Sequence, residues 1–209
     1  KEGILNRAGY YDTSGALKDM VQSHLLQVLS LIAMEPPKKN HSEELKDEKV
    51  KVFKNLTFDK DSIIFGQYDG YLKEANIPET STTETFVYFK AYVNSKRFSG
   101  VPFEILTGKA LSHKSSFIEI TYHTSNQNDI WNLDVSSNKL KITFAPEDAV
   151  DLTINSKEPG LNQNLHAVDL SYNVSESITG NIPEAYEKLI LDIVDGQKTL
   201  FTRWDEIEA

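Results

Sequence analysis

Four side chains in this sequence have types and spacings that suit chemistry: Asp19, His24, Lys109 and Lys114. His24 stands in ALKDMVQSHLLQVL (16–29), four residues after Met20 and four before Val28. Leu17, Met20, Val21, Leu25, Val28 and Leu29 recur at helical spacing, and the histidine falls in their stripe. An imidazole changes charge near neutrality, which suits it to proton transfer. On an apolar face it must also find a hydrogen-bond partner or lose several kcal/mol. His24 is therefore either a satisfied core histidine or a placed acid–base group. Asp19 lies five residues earlier, about 140° away around an ideal α-helix, so helix geometry alone does not make a compact dyad of the two. Both can still line a pocket floored by this helix. Lys109 and Lys114 follow the strand-like run Phe103–Thr107. Two cations at a strand end suit a phosphate or sugar ligand, and the plain alternative is a pair of solvated surface charges.

Other patterns carry less. Gly108-Lys109 ends a stretch that invites a phosphate-loop reading, but the spacing is wrong and Ala110 stands where Ser or Thr should follow. His24, His41, His113, His123 and His166 are scattered without an HxxxH pair, and cysteine is absent, so no metal site is expected. The lack of cysteine also fits a cytoplasmic setting. Net charge is −9, which excludes general nucleic-acid binding and requires any anionic ligand to be met by locally clustered cations. No apolar run reaches the roughly 18 residues that cross a bilayer, so no membrane association is expected.

The elements that must hold these side chains follow from periodicity. Residues 1–12 read as strand and turn. A helix is expected from Ser14 or Gly15 to just before Pro36-Pro37, with Leu25–Met34 apolar on nearly all sides and hence buried. A charged helix is expected over Ser42–Leu56, with Ser42 as N-cap and Glu43 and Glu44 in its first turn. From Asp61 to Ser171 the texture is strand-like, in short runs such as TFVYFKAYV, PFEILTG, SFIEITYH, KLKITFA and HAVDLSY. Connections too short for crossover helices predict antiparallel pairing. A helix returns over Glu184–Asp195, closed by Gly196, and another begins at Arg203. Helices, then strands, then helices describe an α+β fold with a large, mostly antiparallel sheet packed on helices.

Several long motifs resemble the glucose-6-phosphate dehydrogenase family. They are RAGYYDTSGALKDMVQSHLLQVLSLIAMEPP (7–37), KDEKVKVF (46–53), GQY (66–68), STTETF (81–86), GVPFEILTGKAL (100–111) and PEAYEKLILDIVDGQKTLFTRWDE (183–206), in the family's order. The resemblance implies that residues 1–209 are a C-terminal substrate-binding and dimerisation domain. The coenzyme domain, with its Gly-rich turn and HYLGK-type segment, would lie upstream, and the family's C-terminal end would continue beyond this chain. The implied reaction is oxidation of D-glucose 6-phosphate at C1 to 6-phosphoglucono-1,5-lactone with hydride transfer to NADP, the first step of the oxidative pentose phosphate pathway. His24 matches the family's general base. Asp19 matches a ligand of the substrate hydroxyls, and Lys109 and Lys114 match two substrate-contacting lysines. Ser23 replaces the usual Asn beside the base, and Lys18 stands where Arg is frequent. NADP would be held mainly by the upstream domain, with no cofactor-binding residue in this chain, so the fragment alone is expected to be inactive. Homodimers would form through the sheet, whose strands offer Phe86, Tyr88, Phe89, Tyr92, Phe117, Tyr122 and Phe144. The rival reading is a non-catalytic, β-rich interaction module derived from the family.

Overall fold

Every second side chain of the strand Phe86–Val93 is buried: Val87, Phe89, Ala91 and Val93 turn inward, and Phe86, Tyr88, Lys90 and Tyr92 turn out. A computed structural model describes residues 3–4, 7–39, 41–124, 136–177 and 185–209. In it this strand, β2, lies between β1 (Leu56–Gly66) and β3 (Pro102–Gly108), antiparallel to both. Phe89 stands opposite Ile105 on the inner face. Above that face runs a helical stretch made of α1 (Ala8–Ala16), a π-helical segment (Leu17–Leu25) and α2 (Leu26–Ala33). Ala16, Val21, Leu29 and Ala33 from this stretch, Val52 from α3 (Ser42–Lys54) and the inward side chains of β2 form the main core. The helices α5 (Ala185–Val194) and α6 (Trp204–Glu208) belong to the same compact unit, which comprises Lys1–Leu111 and Pro183–Ala209.

A second, smaller cluster lies under α1, where Ile4, Ala8 and Tyr11 pack with Tyr71 and Ile77. Asp12 ties this cluster to the loop that precedes β2. Its carboxylate accepts hydrogen bonds from the Tyr71 hydroxyl at 2.8 Å and from the Ser81 hydroxyl, and its backbone oxygen accepts from Thr83 Oγ1 at 2.7 Å. These donors, Ser81 first and then Tyr71, hold the Asp12 carboxyl below the usual carboxylate range.

The second compact unit, Ser112–Ile182, is a four-stranded antiparallel meander. Its strands are β4 (Ser116–Thr121), β5 (Lys139–Ala145), β6 (Ala149–Lys157) and β7 (Leu165–Asn173), followed by the short helix α4 (Val174–Ser177). Register makes the sheet amphipathic. Ile118, Ile142, Val150 and Tyr172 stand in one cross-strand row, and Ile120, Leu140, Leu152 and Leu170 in the row beside it on the same face. The opposite face carries Glu119, Lys141, Asp151 and Ser171. There Ser171 donates to Asp151 at 2.7 Å and Thr153 to Asp169 at 2.6 Å. None of the described apolar side chains of this unit is fully buried, and Leu170, Tyr172 and Phe144 are about half exposed.

The α+β class and the antiparallel pairing agree with the sequence patterns, and each of the seven strands falls on a strand-like run. Five details differ. The strands form two sheets, one in each unit. Residues 8–12, within the 1–12 stretch expected to be strand and turn, are helical, because Ile4, Ala8 and Tyr11 already have the helical period that buries one face. The stretch Leu25–Met34 is buried on one side only, for Leu31 is 52% exposed while Ser30 is fully covered. His41, not Ser42, is the N-cap residue of α3, by its extended backbone. Phe89 belongs to the core, so it offers nothing to a partner. Among the described residues no helix is long and apolar enough to cross a membrane.

The depressed Asp12 carboxyl gives a stability signature. A carboxylate whose ionised form is favoured in the native state stabilises above the ordinary carboxylate range, and that contribution is lost as pH falls through the native value. Asp12→Ala is expected to lower unfolding stability by about 1–3 kcal/mol at pH 7. The gap to the unmodified chain should narrow once pH drops below ~4. Urea unfolding at pH 7 and pH 3 checks both parts.

Candidate functional site

The helix that carries Asp19 and His24 starts at a forced break. Gly15 has φ 66° and ψ 176°, which interrupts α1 and turns the chain into a new helical run. A Cβ there would overlap the Glu84 carboxylate, and the left-handed backbone itself calls for glycine. Glu84, on the segment entering β2, fills the gap. Its carboxylate accepts from the backbone N–H of Leu17 at 2.9 Å and its backbone oxygen accepts from that of Ala16 at 3.0 Å. The cap of this helix therefore comes from 67 residues away. A carboxylate at a helix N-terminus satisfies orphan amides and opposes the positive end of the dipole.

From Leu17 to Leu25 the helix is π-helical, and the Leu26 N–H reaches back five residues to the Val21 carbonyl. In an α-helix Asp19 and His24 would point well apart. In a π-helix each hydrogen bond spans five residues, so positions five apart turn toward a common side instead of pointing apart. The wider turn thus brings Asp19 and His24 to one face of the helix. It also corrects the expectation that His24 sits in the apolar stripe: the imidazole is exposed, and among the described residues it has no hydrogen-bond partner.

Two cations flank Asp19. Lys109 Nζ is 3.6 Å from Asp19 Oδ2 and Arg7 Nη2 is 3.8 Å from Oδ1, while the carboxylate side chain is only 10% exposed. Lys109 follows the last residue of β3, and its backbone N–H donates to the Thr85 carbonyl at 2.8 Å. Thr85 is itself fully buried, and its hydroxyl accepts from the Tyr68 N–H at 2.9 Å. The Lys109 ammonium also stands over the Tyr11 ring, 5.4 Å from its centroid. The Tyr11 hydroxyl is buried without a partner among the described residues. Burial first, and then the negative charges of Asp19 and Glu84, push its ionisation up, so it remains a neutral phenol.

The first unit therefore brings three of the four sequence-predicted side chains, Asp19, His24 and Lys109, to one helix face and the strand end beside it. Lys114 lies in the second unit, two residues before β4, and is exposed. Sequence patterns alone place Gly15 only as a possible helix start, without the contact that requires a glycine there, and miss Glu84, Thr85, Tyr11 and Arg7. A cap supplied across 67 residues left no signal.

Chemically, the arrangement offers a carboxylate that accepts from hydroxyl groups, an ammonium that meets an anion, and an unpartnered imidazole open to solvent. Among the described residues, no three or more metal-ligating side chains come together. Nor does any described strand lead through a glycine-rich turn into an α-helix, the arrangement that cradles a dinucleotide pyrophosphate.

Comparison with known proteins gives a consistent result. A family model described as "Glucose-6-phosphate dehydrogenase, C-terminal domain" matches residues 1–209. The glucose-6-phosphate 1-dehydrogenase of Streptococcus pneumoniae serotype 4 is 41% identical over 222 residues, covering 99% of this chain and 44% of that protein. The chloroplastic enzyme of Nicotiana tabacum is 36% identical, covering 99% of this chain and 38% of its own length. A solved structure of glucose-6-phosphate dehydrogenase in complex with its substrate glucose-6-phosphate matches with a TM-score of 0.89 at 36% identity, covering 99% of this chain and 44% of that one. This chain spans less than half the length of these relatives.

Gly15→Ala tests the cap. The added methyl must displace the Glu84 carboxylate and adopt a left-handed backbone, so a loss of more than ~1 kcal/mol is expected. Glu84→Ala, which removes the charged acceptor at Leu17, should cost about 1.5–3 kcal/mol. Thermal or urea unfolding of both variants checks this, and losses within ~0.5 kcal/mol, the range of ordinary surface changes, would contradict the role given to the cap.

Proposed function

Because this chain belongs to the glucose-6-phosphate dehydrogenase family, as its C-terminal domain, we propose that within a full-length enzyme it binds D-glucose 6-phosphate and removes the proton from the C1 hydroxyl. The observation that carries this reading is the π-helical register that puts Asp19 and His24 on one face, beside the Lys109 ammonium. His24 acts as general base: its open imidazole takes the C1 hydroxyl proton as the C1–H bond breaks. The hydride goes to NADP, the second substrate, and the sugar leaves as 6-phosphoglucono-1,5-lactone, the product that opens the oxidative pentose phosphate pathway. On the family resemblance, NADP would be held mainly by the rest of the full-length enzyme, since this chain spans less than half the length of its relatives.

Asp19 fixes the sugar ring by accepting from its hydroxyls. Its carboxylate is held ready by two cations, so it needs no large rearrangement when the substrate arrives. Lys109 faces the anionic substrate, and Lys114 is assigned the same task on the family resemblance. In a protein of net charge −9, such local cations are what an anionic sugar phosphate requires.

Homodimerisation through the sheets is part of the same reading. The meander's continuous apolar face, with Val150, Leu170 and Tyr172 exposed, supports it, since patches of this kind mark contact surfaces. Tyr122 and Phe144 share that face by alternation, whereas Phe117 lies on the polar side under Lys141. A cytoplasmic setting also belongs to this reading, and a cysteine-free chain needs no oxidising compartment.

In a full-length enzyme that contains this chain, His24→Asn should lower kcat by at least ~10²-fold with a much smaller change in KM. Unchanged turnover would overturn the assignment of His24 as general base. Lys109→Ala and Lys114→Ala should chiefly raise the KM for glucose 6-phosphate, at a cost of about 1.5–3 kcal/mol each. Light scattering of this chain at micromolar concentration should give twice its 23.6 kDa, and a monomer would refute the sheet contact. Leu170→Asp, which charges the apolar face, should weaken the dimer.

A further inference from the structure

A buried ionic network lies outside the site just described. Lys49 of α3 and Glu206 of α6 are paired at 2.5 Å, with side chains 10% and 0% exposed. The Lys49 ammonium also donates to the side-chain oxygen of Gln27 in α2. Gln27 is held a second time through its backbone oxygen, which accepts from the buried Ser30 hydroxyl at 2.7 Å. At the other end, Glu206 Oε1 accepts from the Arg203 N–H at 2.9 Å. The Arg203 guanidinium donates to Glu43 at 2.8 Å and Asp47 at 2.6 Å, both on α3. The segment 203–206 is thus fixed on α3, and Lys49 extends that fixation to the helix of His24. Gln27 lies three residues beyond His24 and two beyond the end of the π segment.

Stability alone is a poor account of such a pair. Desolvating two charges costs about as much as their attraction returns, and apolar replacements of similar volume are frequently neutral or stabilising. What the pair adds is direction. A helix whose α portion is gripped at Gln27 cannot rotate about its axis or pass its extra residue along to the next turn.

We propose that Lys49 and Glu206 are positioning residues for His24. They fix the helix at Gln27 and hold the five-residue register that brings Asp19 and His24 to one face. The inference rests on the reading of His24 as general base.

The test uses a full-length dehydrogenase that contains this chain and three variants: Lys49→Met with Glu206→Leu, Gln27→Leu, and all three changes together. Paired replacement leaves no lone buried charge, and Gln27→Leu leaves the ion pair intact. Each of the first two should lower kcat on the order of tenfold, as a misplaced catalytic group does. The KM for glucose 6-phosphate should stay within ~2-fold, because Asp19 and Lys109 are held separately through Glu84 and Thr85. The triple variant should lose little more than either, since all act through one contact. If the paired variant does not fold, Gln27→Leu alone decides. Wild-type kcat in folded Gln27→Leu, a rise in KM without loss of kcat, or fully multiplicative losses would each overturn the proposal. His24→Asn is measured beside them. Wild-type turnover there overturns the assignment of the base and this inference with it. Loss there with none in Gln27→Leu overturns this inference alone.

Discussion

Glu84 reaches across Gly15 to the amide of Leu17, and the helix that carries Asp19 and His24 is placed by that contact. The same two-residue step sets both sides of the site. Glu84 starts the helix that carries Asp19 and His24, and the carbonyl of Thr85 receives the backbone of Lys109. Thr85 also bonds to Gly66 and Tyr68, which anchors the step to the end of β1. A helix start and a strand end that would otherwise drift independently are thereby joined through two adjacent residues, of which Thr85 is fully buried. The 3.6 Å approach of Lys109 to Asp19 follows from that junction more than from their own weak attraction.

The π-helical segment is the second constraint. It adds one residue to a turn, and such insertions occur frequently at functional sites. Here its effect is concrete. It lifts His24 out of the apolar stripe and turns it toward the side that carries Asp19, while Val21 and Leu29 stay in the core on either side. The segment lies between two grips, the Glu84 cap before Leu17 and the Gln27 clamp after Leu25.

Much of this was legible in the residues. The β-branched and aromatic run TFVYFKAYV declared β2, and the short connections declared antiparallel pairing, but a run apolar on both sides does not show that Val87, Phe89, Ala91 and Val93 form its buried face. Asp19, His24 and Lys109 stood out by type and position. The face they share was not legible, because the sequence was projected on a period of 3.6 and the helix keeps a wider one. The cap was hidden for a different reason: Glu84 is close to Gly15 only in the folded chain. Helix α1 was misread because paired tyrosines look strand-like, although Tyr11 completes a helical spacing with Ile4 and Ala8. The gathering of strands into two sheets was likewise invisible, since short antiparallel runs do not state where one sheet ends.

The central claim is that Asp19 and His24 act on one sugar from one helix face. Its most direct test is a crystal structure of a full-length, His24→Asn enzyme containing this chain, with glucose 6-phosphate and oxidised NADP bound and turnover suppressed. The account predicts the substituted side chain at position 24 within about 3.5 Å of the C1 hydroxyl and the Asp19 carboxylate within hydrogen-bond reach, ~2.6–3.2 Å, of a hydroxyl on the same ring. A sugar held by Asp19 with C1 turned away from position 24, or a helix that has reverted to α-helical register there, would contradict it.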